Sequence, residues 1–194
     1  MSEIIKPKIV YPVGHHASGK TEFCDYLAEE HGFRVIETGS MMRRLYRGRE
    51  EEYQNLDIKD YVKQKLADDE NFFDAYLNNL IRGAEEDSNL VAVNGMRSYD
   101  NIQKLKASRP HAQHEIVWID APSQLLYERY LKREKVQMSF EEFCDLLEVD
   151  LALGLGEVEG VADYRIENTG SVVELKAKSE EVLRLIASKA IELY

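Results

Sequence analysis

The stretch "VYPVGHHASGKTEF", residues 10–23, decides the expected fold of this chain. It contains the spacing G-x-x-x-x-G-K-[ST] from Gly14 to Thr21, and an apolar run ends directly before it. A strand, a glycine-framed loop and a helix are the context in which backbone N–H groups surround a polyphosphate. The N-terminus of the following helix adds positive potential to the same place. We therefore predict that this loop binds the phosphates of a nucleotide.

The positions of the loop have distinct expected roles. Lys20 is expected to reach the β and γ phosphates and, without a nucleotide, to face solvent. The Thr21 hydroxyl is expected to ligate Mg²⁺. Two adjacent histidines are unusual in such a loop, and they either touch phosphate or are exposed residues without a special task. The predicted nucleotide-binding residues of the loop are Gly14, His15, His16, Ala17, Ser18, Gly19, Lys20 and Thr21.

The rest of the chain alternates between β-rich runs and helical patterns. Apolar spacings of three and four residues predict helices, among them 19–30 and 171–193. The predicted strands are 8–13, 33–38, 90–95, 114–121 and 163–168. Several of them are almost continuously apolar, as expected for strands buried on both faces. This alternation predicts an α/β fold with a mostly parallel sheet, whose ligands gather at the carboxyl ends of the strands.

Length and composition exclude several classes of protein. The chain has 194 residues, of which 44% are hydrophobic, so we predict a single domain spanning 1–194. A net charge of -11 argues against binding of duplex nucleic acid. We find neither an apolar run of the roughly 20 residues that span a bilayer nor a signal peptide, so we expect no membrane partner. Cys24 and Cys144 match no metal spacing, which favours a reducing, cytoplasmic location.

A second informative stretch is "IETGSMMRRLYRGR", residues 36–49. It resembles the S-T-G-D-x-L-R segment of adenylate kinases, in which the second strand leads into the acceptor site. Thr38, Gly39 and Arg43 fall on matching positions, so the resemblance implies that they bind the acceptor. An arginine one turn into a helix can grip a phosphate with two parallel hydrogen bonds. The simpler alternative is a helix N-terminus with arginines that face solvent.

A third stretch, "LVAVNGMRSYDNI" at residues 90–102, resembles the end of strand three in nucleoside monophosphate kinases. Their pattern, x-x-D-G-x-(P)-R, implies that Arg97 is a second clamp on the acceptor. Asn94 stands where those kinases place an acid that orients Mg²⁺ through water. An amide can still bond to metal-bound water, so Asn94 is a predicted metal-site residue that adds no negative charge.

A fourth stretch, "IDAPSQLLYERYLKRE" at residues 119–134, predicts a strand followed by a helix. Arg129 and Arg133 are one turn apart and share a helix face. Both are predicted to offset the charge that develops on the transferring phosphoryl group. The alternative is surface pairing with Glu128 or Glu134.

The last stretch is "GLGEVEGVADYRIENTGSVVELK", residues 154–176. Its strand ends in "IENTGS", and the loop that contains Asn168 and Gly170 is predicted to lie beside the adenine base. Backbone groups usually recognise the base in such loops, so we expect weak side-chain roles there.

Together these stretches resemble P-loop kinases of the adenylate kinase-like and dephospho-CoA kinase-like group. The resemblance covers nearly the whole chain and includes an archaeal-type nucleotide kinase-like family that reads "DGIRS" where this chain reads "NGMRS". It implies a three-layer P-loop fold with a five-stranded parallel sheet of order 2-3-1-4-5, helices on both faces, and ATP with Mg²⁺. It also implies a helical acceptor-binding insertion at about 40–86 and a lid-like segment at about 133–162. Within the latter, Ser139 and Glu142 form a predicted capping box.

The acceptor is less constrained by the sequence than the donor. Dephospho-CoA kinases and deoxynucleoside kinases place an acid near the end of strand two, and Glu37 stands there. A hydroxyl acceptor benefits from a carboxylate that receives its proton, so Glu37 is a candidate catalytic base. Arg43 and Arg97 favour an acceptor that already carries phosphate. Glu37 is otherwise a strand-end acid paired with one of these arginines.

We therefore predict an ATP-dependent kinase that acts on a small, nucleotide-type acceptor, foremost a nucleoside monophosphate. One alternative is a dephospho-CoA-type or (deoxy)nucleoside kinase that uses Glu37 as base. An alternative of another class is a nucleotide-binding regulator with weak ATPase activity, which Asn94 favours. The expected partners are ATP and the acceptor, and the oligomeric state is left open between monomer and homodimer.

Overall fold

A computed structural model describes residues 6–47, 61, 65, 72–152 and 154–189 of the chain. Most of the middle of the predicted helical insertion, between residues 48 and 71, therefore lies outside the described residues. In the described part, no helix is long and apolar enough to cross a membrane.

Five strands form one sheet in the order β2-β3-β1-β4-β5, and every neighbouring pair is parallel. The predicted fold class and strand order are therefore confirmed. Each strand matches its predicted bounds to within one residue at either end. The strands are β1 (Lys8–Val13), β2 (Arg34–Glu37), β3 (Leu90–Asn94), β4 (Gln113–Asp120) and β5 (Tyr164–Glu167).

Helices follow each strand and cover both faces of the sheet. The described helices are α1 (Lys20–His31), α2 (Thr38–Arg47), α3 (Phe72–Asp87), α4 (Tyr99–Ser108), α5 (Ser123–Glu134), α6 (Phe140–Ala152), α7 (Leu155–Gly160) and α8 (Val172–Lys189). Because parallel neighbours need crossover connections, this alternation of strand and helix is what a parallel sheet requires.

Two apolar layers enclose the sheet, one on each face. Successive strand residues point to opposite faces, so Tyr11 packs on one side and Val10 on the other. The layer around Tyr11 includes Leu77 of α3 and Ile102 of α4. The opposite layer includes Phe23 of α1 with residues of α8. Burial on both faces explains why the strands read as nearly continuous apolar runs.

The predicted lid-like segment, at about 133–162, contains α6, which packs against α5. Phe143 is fully buried against Leu126 in this small cluster. The capping box is confirmed, because the Glu142 N–H donates to Ser139 Oγ at 3.2 Å and the Ser139 N–H donates to Glu142 Oε2 at 2.6 Å. These hydrogen bonds lower the pKa of Glu142.

Candidate active site

A cavity of about 900 Å³ opens at the carboxyl ends of the central strands. Its wall brings together the predicted phosphate loop (residues 14–21), the ends of β2 and β3, and parts of α5 and α6. Most of the predicted site residues line it: Gly14, His16, Ala17, Ser18, Gly19, Lys20, Thr21, Glu37, Thr38, Gly39, Arg43, Asn94, Arg97 and Arg133. The described lining does not include the other four, His15, Arg129, Asn168 and Gly170.

The two glycines that frame the phosphate loop cannot be replaced without a clash. Gly14 has φ +145° and Gly19 has φ +104°, both in a region that other residues rarely adopt. A Cβ at Gly14 would run into the carbonyl oxygen of Ile119 in β4. One at Gly19 would run into the side-chain nitrogen of Asn168. The loop is therefore packed directly against the ends of β4 and β5.

Lys20 does not face solvent, so that sequence-based expectation was wrong. Its ammonium Nζ donates to the carbonyl oxygens of Gly14 at 2.9 Å and His15 at 2.6 Å. The side chain thus folds back over the loop that it is expected to serve. Burial lowers the pKa of Lys20 to about 8, partly opposed by the negative charge of Asp150.

Asn168 braces the phosphate loop through its side chain. Its buried Nδ2 donates to the Ser18 carbonyl at 2.8 Å, and its backbone N–H donates to the Asp120 carbonyl at 2.7 Å. Arg129 in turn donates to the carbonyl oxygens of Asn168 at 2.9 Å and Gly170 at 3.2 Å. The structure thus places Arg129 on the predicted adenine loop, outside the cavity in which the other arginines lie.

The two loop histidines occupy different surroundings. His15 packs edge-on against Trp118, with ring centroids 5.7 Å apart, and burial lowers its pKa. His16 lies in the cavity wall, edge-on to Tyr130 at 5.9 Å. Burial also lowers the pKa of His16, with Asp150 acting in the opposite direction. Of the two, only His16 is positioned at the cavity.

Glu37 and Asn94 end adjacent strands and stand side by side in register. Asn94 Nδ2 donates to Glu37 Oε1 at 2.6 Å. The alternative interpretation, in which Glu37 pairs with Arg43 or Arg97, is not observed, because a neutral amide is its hydrogen-bond donor. The amide oxygen of Asn94 is buried and has no hydrogen-bond partner among the described residues. One carboxylate oxygen of Glu37 is therefore fixed by the protein, and both residues line the cavity.

Arg43 of α2 and Arg133 of α5 both line the cavity. Arg43 is exposed and donates to Ser40 Oγ at 2.9 Å, one turn back on α2. Arg133 lies over the Tyr130 ring at 5.8 Å and donates from Nε to Glu134 Oε1 at 2.7 Å. The predicted surface alternative, pairing of Arg133 with Glu134, is thus observed in a residue that also lines the cavity.

Asp150 also lines the cavity, although it was not among the residues predicted from the sequence. It is only 2% exposed, and its Oδ1 lies 3.1 Å from Arg97 Nη1. Its Oδ2 lies 3.5 Å from His16 Nε2, and Arg97 Nη2 lies 3.1 Å from the same nitrogen. A signal was present in the sequence. Asp150 follows Phe143 by seven residues and so lies on the apolar face of α6. A carboxylate on such a face is costly to bury unless a cation or a hydrogen-bond donor lies beside it.

Oxygen donors in the cavity fit a magnesium ion that also binds phosphates. The described residues contain no group of three His, Cys, Asp or Glu side chains that could hold a metal. The Thr21 hydroxyl and the unpartnered Asn94 amide oxygen are hard ligands of the kind that Mg²⁺ takes alongside water and phosphate. The site thus suits a metal that arrives with a nucleotide.

Comparison with known proteins gives one family match and several archaeal relatives. A family model described as "AAA domain" matches residues 13–142. The chain is 29% identical over 183 residues to a UPF0200 protein of Sulfurisphaera tokodaii, covering 92% of this chain and 97% of that protein. A UPF0200 protein of Methanothermobacter thermautotrophicus is 26% identical over 169 residues, covering 86% and 84%. The predicted resemblance to archaeal proteins is confirmed.

Solved structures share the fold at low sequence identity. TT1252 from Thermus thermophilus superimposes with a TM-score of 0.67 at 20% identity, covering 95% of this chain and 98% of that one. A shikimate kinase from Acinetobacter baumannii gives 0.59 at 22% identity, covering 94% of each chain. A dephospho-CoA kinase from Campylobacter jejuni gives 0.58 at 16% identity, covering 92% and 97%. These likenesses confirm the predicted P-loop kinase fold.

Proposed function

Because the chain belongs to the AAA domain family and has the fold of P-loop kinases, we propose that it is an ATP-dependent kinase that phosphorylates a hydroxyl group of a nucleotide-type small molecule. One observation carries this proposal. The Glu37 carboxylate, held at 2.6 Å by the amide of Asn94, lines the same cavity as the phosphate loop. An acid so placed suits an acceptor that must lose a proton.

The phosphate loop binds the triphosphate of the donor. Its backbone N–H groups and the N-terminus of α1 attract the phosphates, and Gly14 and Gly19 let the backbone approach closely. Lys20 exchanges the two loop carbonyls for β and γ phosphate oxygens, since these are charged and stronger acceptors. Asn168 keeps the loop in shape through its hydrogen bond to Ser18.

The Thr21 hydroxyl and the Asn94 amide oxygen would hold magnesium, directly or through water. When bound, it supplies positive charge that offsets the charge on the β and γ phosphates. The Asn94 nitrogen fixes Glu37, and its unpartnered amide oxygen would be the atom available to the metal or to metal-bound water.

Phosphoryl transfer follows from this arrangement. The acceptor hydroxyl gives its proton to Glu37 as its oxygen bonds to the γ phosphorus. The bond between that phosphorus and the β–γ bridging oxygen breaks, and ADP leaves with the bridging oxygen. Arg133 and Lys20 line the cavity and offset negative charge on the transferring group.

A nucleoside monophosphate is the second candidate acceptor. The arginines Arg43 and Arg97 line the cavity, and an acceptor phosphate is the natural partner of such guanidinium groups. An attacking phosphate is already an oxyanion and needs no base. In that reaction Glu37 would have no proton to receive.

An acceptor panel tests the proposal. ADP formation from ATP and Mg²⁺ is measured with AMP, CMP, UMP, GMP, dTMP, dephospho-CoA and several nucleosides, using the Lys20→Ala protein as blank. Strong stimulation by a nucleoside or by dephospho-CoA is expected. Stimulation by a monophosphate alone supports the second candidate. ADP formation that no acceptor changes contradicts both and points to an ATPase or regulator.

A further inference from the structure

We propose that Asp150 is a positioning residue: with His16, its carboxylate holds the guanidinium of Arg97 so that the remaining edge of that group meets an anionic part of the acceptor. This inference rests on the proposed kinase function. The inference gives α6 a role in acceptor binding, whereas the sequence predicted only that α6 is part of a lid-like segment.

The burial of Asp150 is the first observation. A carboxylate that is 2% exposed is costly unless cations or hydrogen-bond donors compensate it. The other buried residue of α6, Phe143, packs into an apolar cluster that offers no such compensation. Asp150 lies instead against Arg97 and His16 in the cavity wall. Its charge thus serves the cavity and not the packing of the helix.

The geometry of Arg97 is the second observation. A guanidinium has five N–H donors in one plane, one on Nε and two on each terminal nitrogen. Arg97 uses Nη1 toward Asp150 at 3.1 Å and Nη2 toward His16 at 3.1 Å. The Asp150 contact is an ion pair, and neither contact involves Nε of Arg97. The Nε–H therefore remains available to donate to a phosphate or carboxylate of the acceptor.

The state of His16 supports this arrangement. Because burial lowers its pKa, the imidazole is neutral near pH 7, and Nε2 can accept the Arg97 N–H. Edge-on contact with Tyr130 at 5.9 Å holds the ring in place. Arg97 is thus fixed by a carboxylate on one terminal nitrogen and by an imidazole on the other.

The chain beyond α6 is also docked on Arg97. Gly154 has φ +99°, and a Cβ at this position would lie 3.4 Å from the Arg97 carbonyl oxygen. The end of α6 and the start of α7 therefore pack against the backbone that carries Arg97.

The test compares Asp150→Asn with Glu148→Gln in the full chain. Both changes remove one negative charge from α6, but Glu148 is exposed and does not line the cavity. Asp150→Asn is expected to raise the acceptor KM about tenfold, with kcat and the KM for ATP within about twofold. Glu148→Gln should change none of these constants. An unchanged acceptor KM in Asp150→Asn overturns the proposal. So does a lowered one, which would mean that Asp150 competes with the acceptor for Arg97.

A double-mutant cycle separates positioning from general destabilisation. If Asp150 acts through Arg97, Asp150→Asn should have no further effect on the acceptor KM in an Arg97→Ala background. Full additivity of the two changes overturns the proposal. If Asp150→Asn fails to fold, Arg97→Lys gives a second route. It keeps a cation beside Asp150 but lacks the planar fork, and it should raise the acceptor KM to a similar degree.

Nitrogen-15 NMR of the Arg97 side chain provides a readout that needs no acceptor. In the unaltered protein, hindered rotation should give separate signals for the two terminal nitrogens, and these should merge in Asp150→Asn but not in Glu148→Gln. Separate signals in Asp150→Asn overturn the proposal. If the acceptor panel gives no stimulation while this result holds, the proposed kinase function fails and the positioning of Arg97 stands.

Discussion

The two edges of the sheet use buried polar side chains in opposite ways. Toward the amino ends of the strands, the Tyr11 hydroxyl lies 2.9 Å from His114 Nδ1, and His114 Nε2 lies 2.9 Å from the Arg109 carbonyl. At the carboxyl edge, Ser18 Oγ and the amide oxygen of Asn94 are buried without a hydrogen-bond partner among the described residues. The Tyr11 hydroxyl is thus paired within the protein, whereas these two oxygens near the cavity are not.

This difference suggests that polar residues at the amino edge contribute mainly to stability and those at the carboxyl edge mainly to ligand binding. A buried polar group that is left unpaired costs about 1–3 kcal/mol, so the unpartnered oxygens lower the stability of the free protein. Nucleotide, metal and acceptor can pair these atoms on binding. Changes at the carboxyl edge should therefore alter catalysis with little effect on folding, and changes at the amino edge should do the reverse.

Among changes at the carboxyl edge, Lys20→Ala should reduce catalytic activity most. Loss of the ammonium that offsets phosphate charge should reduce kcat about 10³-fold, because this interaction is strongest in the transition state. Thermal unfolding should change little. The measurement is initial-rate ADP formation with the best acceptor, and Lys132→Ala, an exposed position on α5, is the matched control. Normal turnover in Lys20→Ala would show that this loop takes no part in phosphoryl transfer.

Glu37→Gln should have the next largest effect. It keeps the shape of the side chain but removes the group that accepts a proton, so kcat should fall about 10²-fold with a hydroxyl acceptor. Glu29→Gln on the exposed face of α1 serves as the control. If kcat is unchanged in Glu37→Gln, the attacking group is an oxyanion and the monophosphate reaction is the correct one.

Asn168→Ala should weaken donor binding more than chemistry. The Ser18 carbonyl would lose its buried 2.8 Å hydrogen bond, and the loop would be less well ordered for phosphate. We expect the KM for ATP to rise about tenfold, in line with the loss of one buried hydrogen bond. Steady-state kinetics with varied ATP measure this, with the exposed Asn79→Ala as control. An unchanged KM for ATP would argue against a bracing role.

Binding of Mg²⁺ and ADP should take up part of a proton slightly above pH 8. The pKa of Lys20 is lowered to about 8, so the free protein is partly unprotonated there, and nearby phosphates favour the ammonium form. Below that pH the group is already protonated and uptake should vanish. Calorimetry in two buffers with different ionisation enthalpies measures it. Equal uptake in Lys20→Ala would assign the proton to another group.

Tyr11→Phe should have the smallest effect on activity. It leaves His114 Nδ1 without its partner, so the free energy of unfolding should fall by about 1–2 kcal/mol. Kinetic constants should remain within about twofold, because this pair lies toward the other edge of the sheet. Urea unfolding and initial rates measure the two quantities side by side. A large loss of activity at unchanged stability would contradict the assignment of the amino edge to stability.

Features that depend on residues close together in the chain could be predicted from the sequence. Apolar runs marked the strands to within one residue, and the motif spacing predicted a glycine-framed loop between β1 and α1. The Ser139–Glu142 capping box was also predicted, because both partners lie within one turn. In each case the determining residues are neighbours along the chain.

Contacts that depend on tertiary register could not be predicted. Asn94 and Glu37 are 57 residues apart and meet only because β2 and β3 pair in parallel. Asp150 reaches Arg97 only when α6 has packed on α5, so its role was missed. The folded-back Lys20 was also missed, since the motif determines where the side chain starts but not which oxygens it finds.

Phosphorus-31 NMR of the reaction products shows whether the γ-phosphoryl group reaches a hydroxyl of the acceptor. With ATP, Mg²⁺ and the acceptor that stimulates ADP formation most, we expect a new phosphate monoester resonance that grows in step with ADP. That resonance should be absent with Lys20→Ala and greatly slowed with Glu37→Gln. A new phosphoanhydride resonance would assign the reaction to a monophosphate acceptor. Inorganic phosphate as the only new product would contradict the account, because the γ-phosphoryl group would then pass to water.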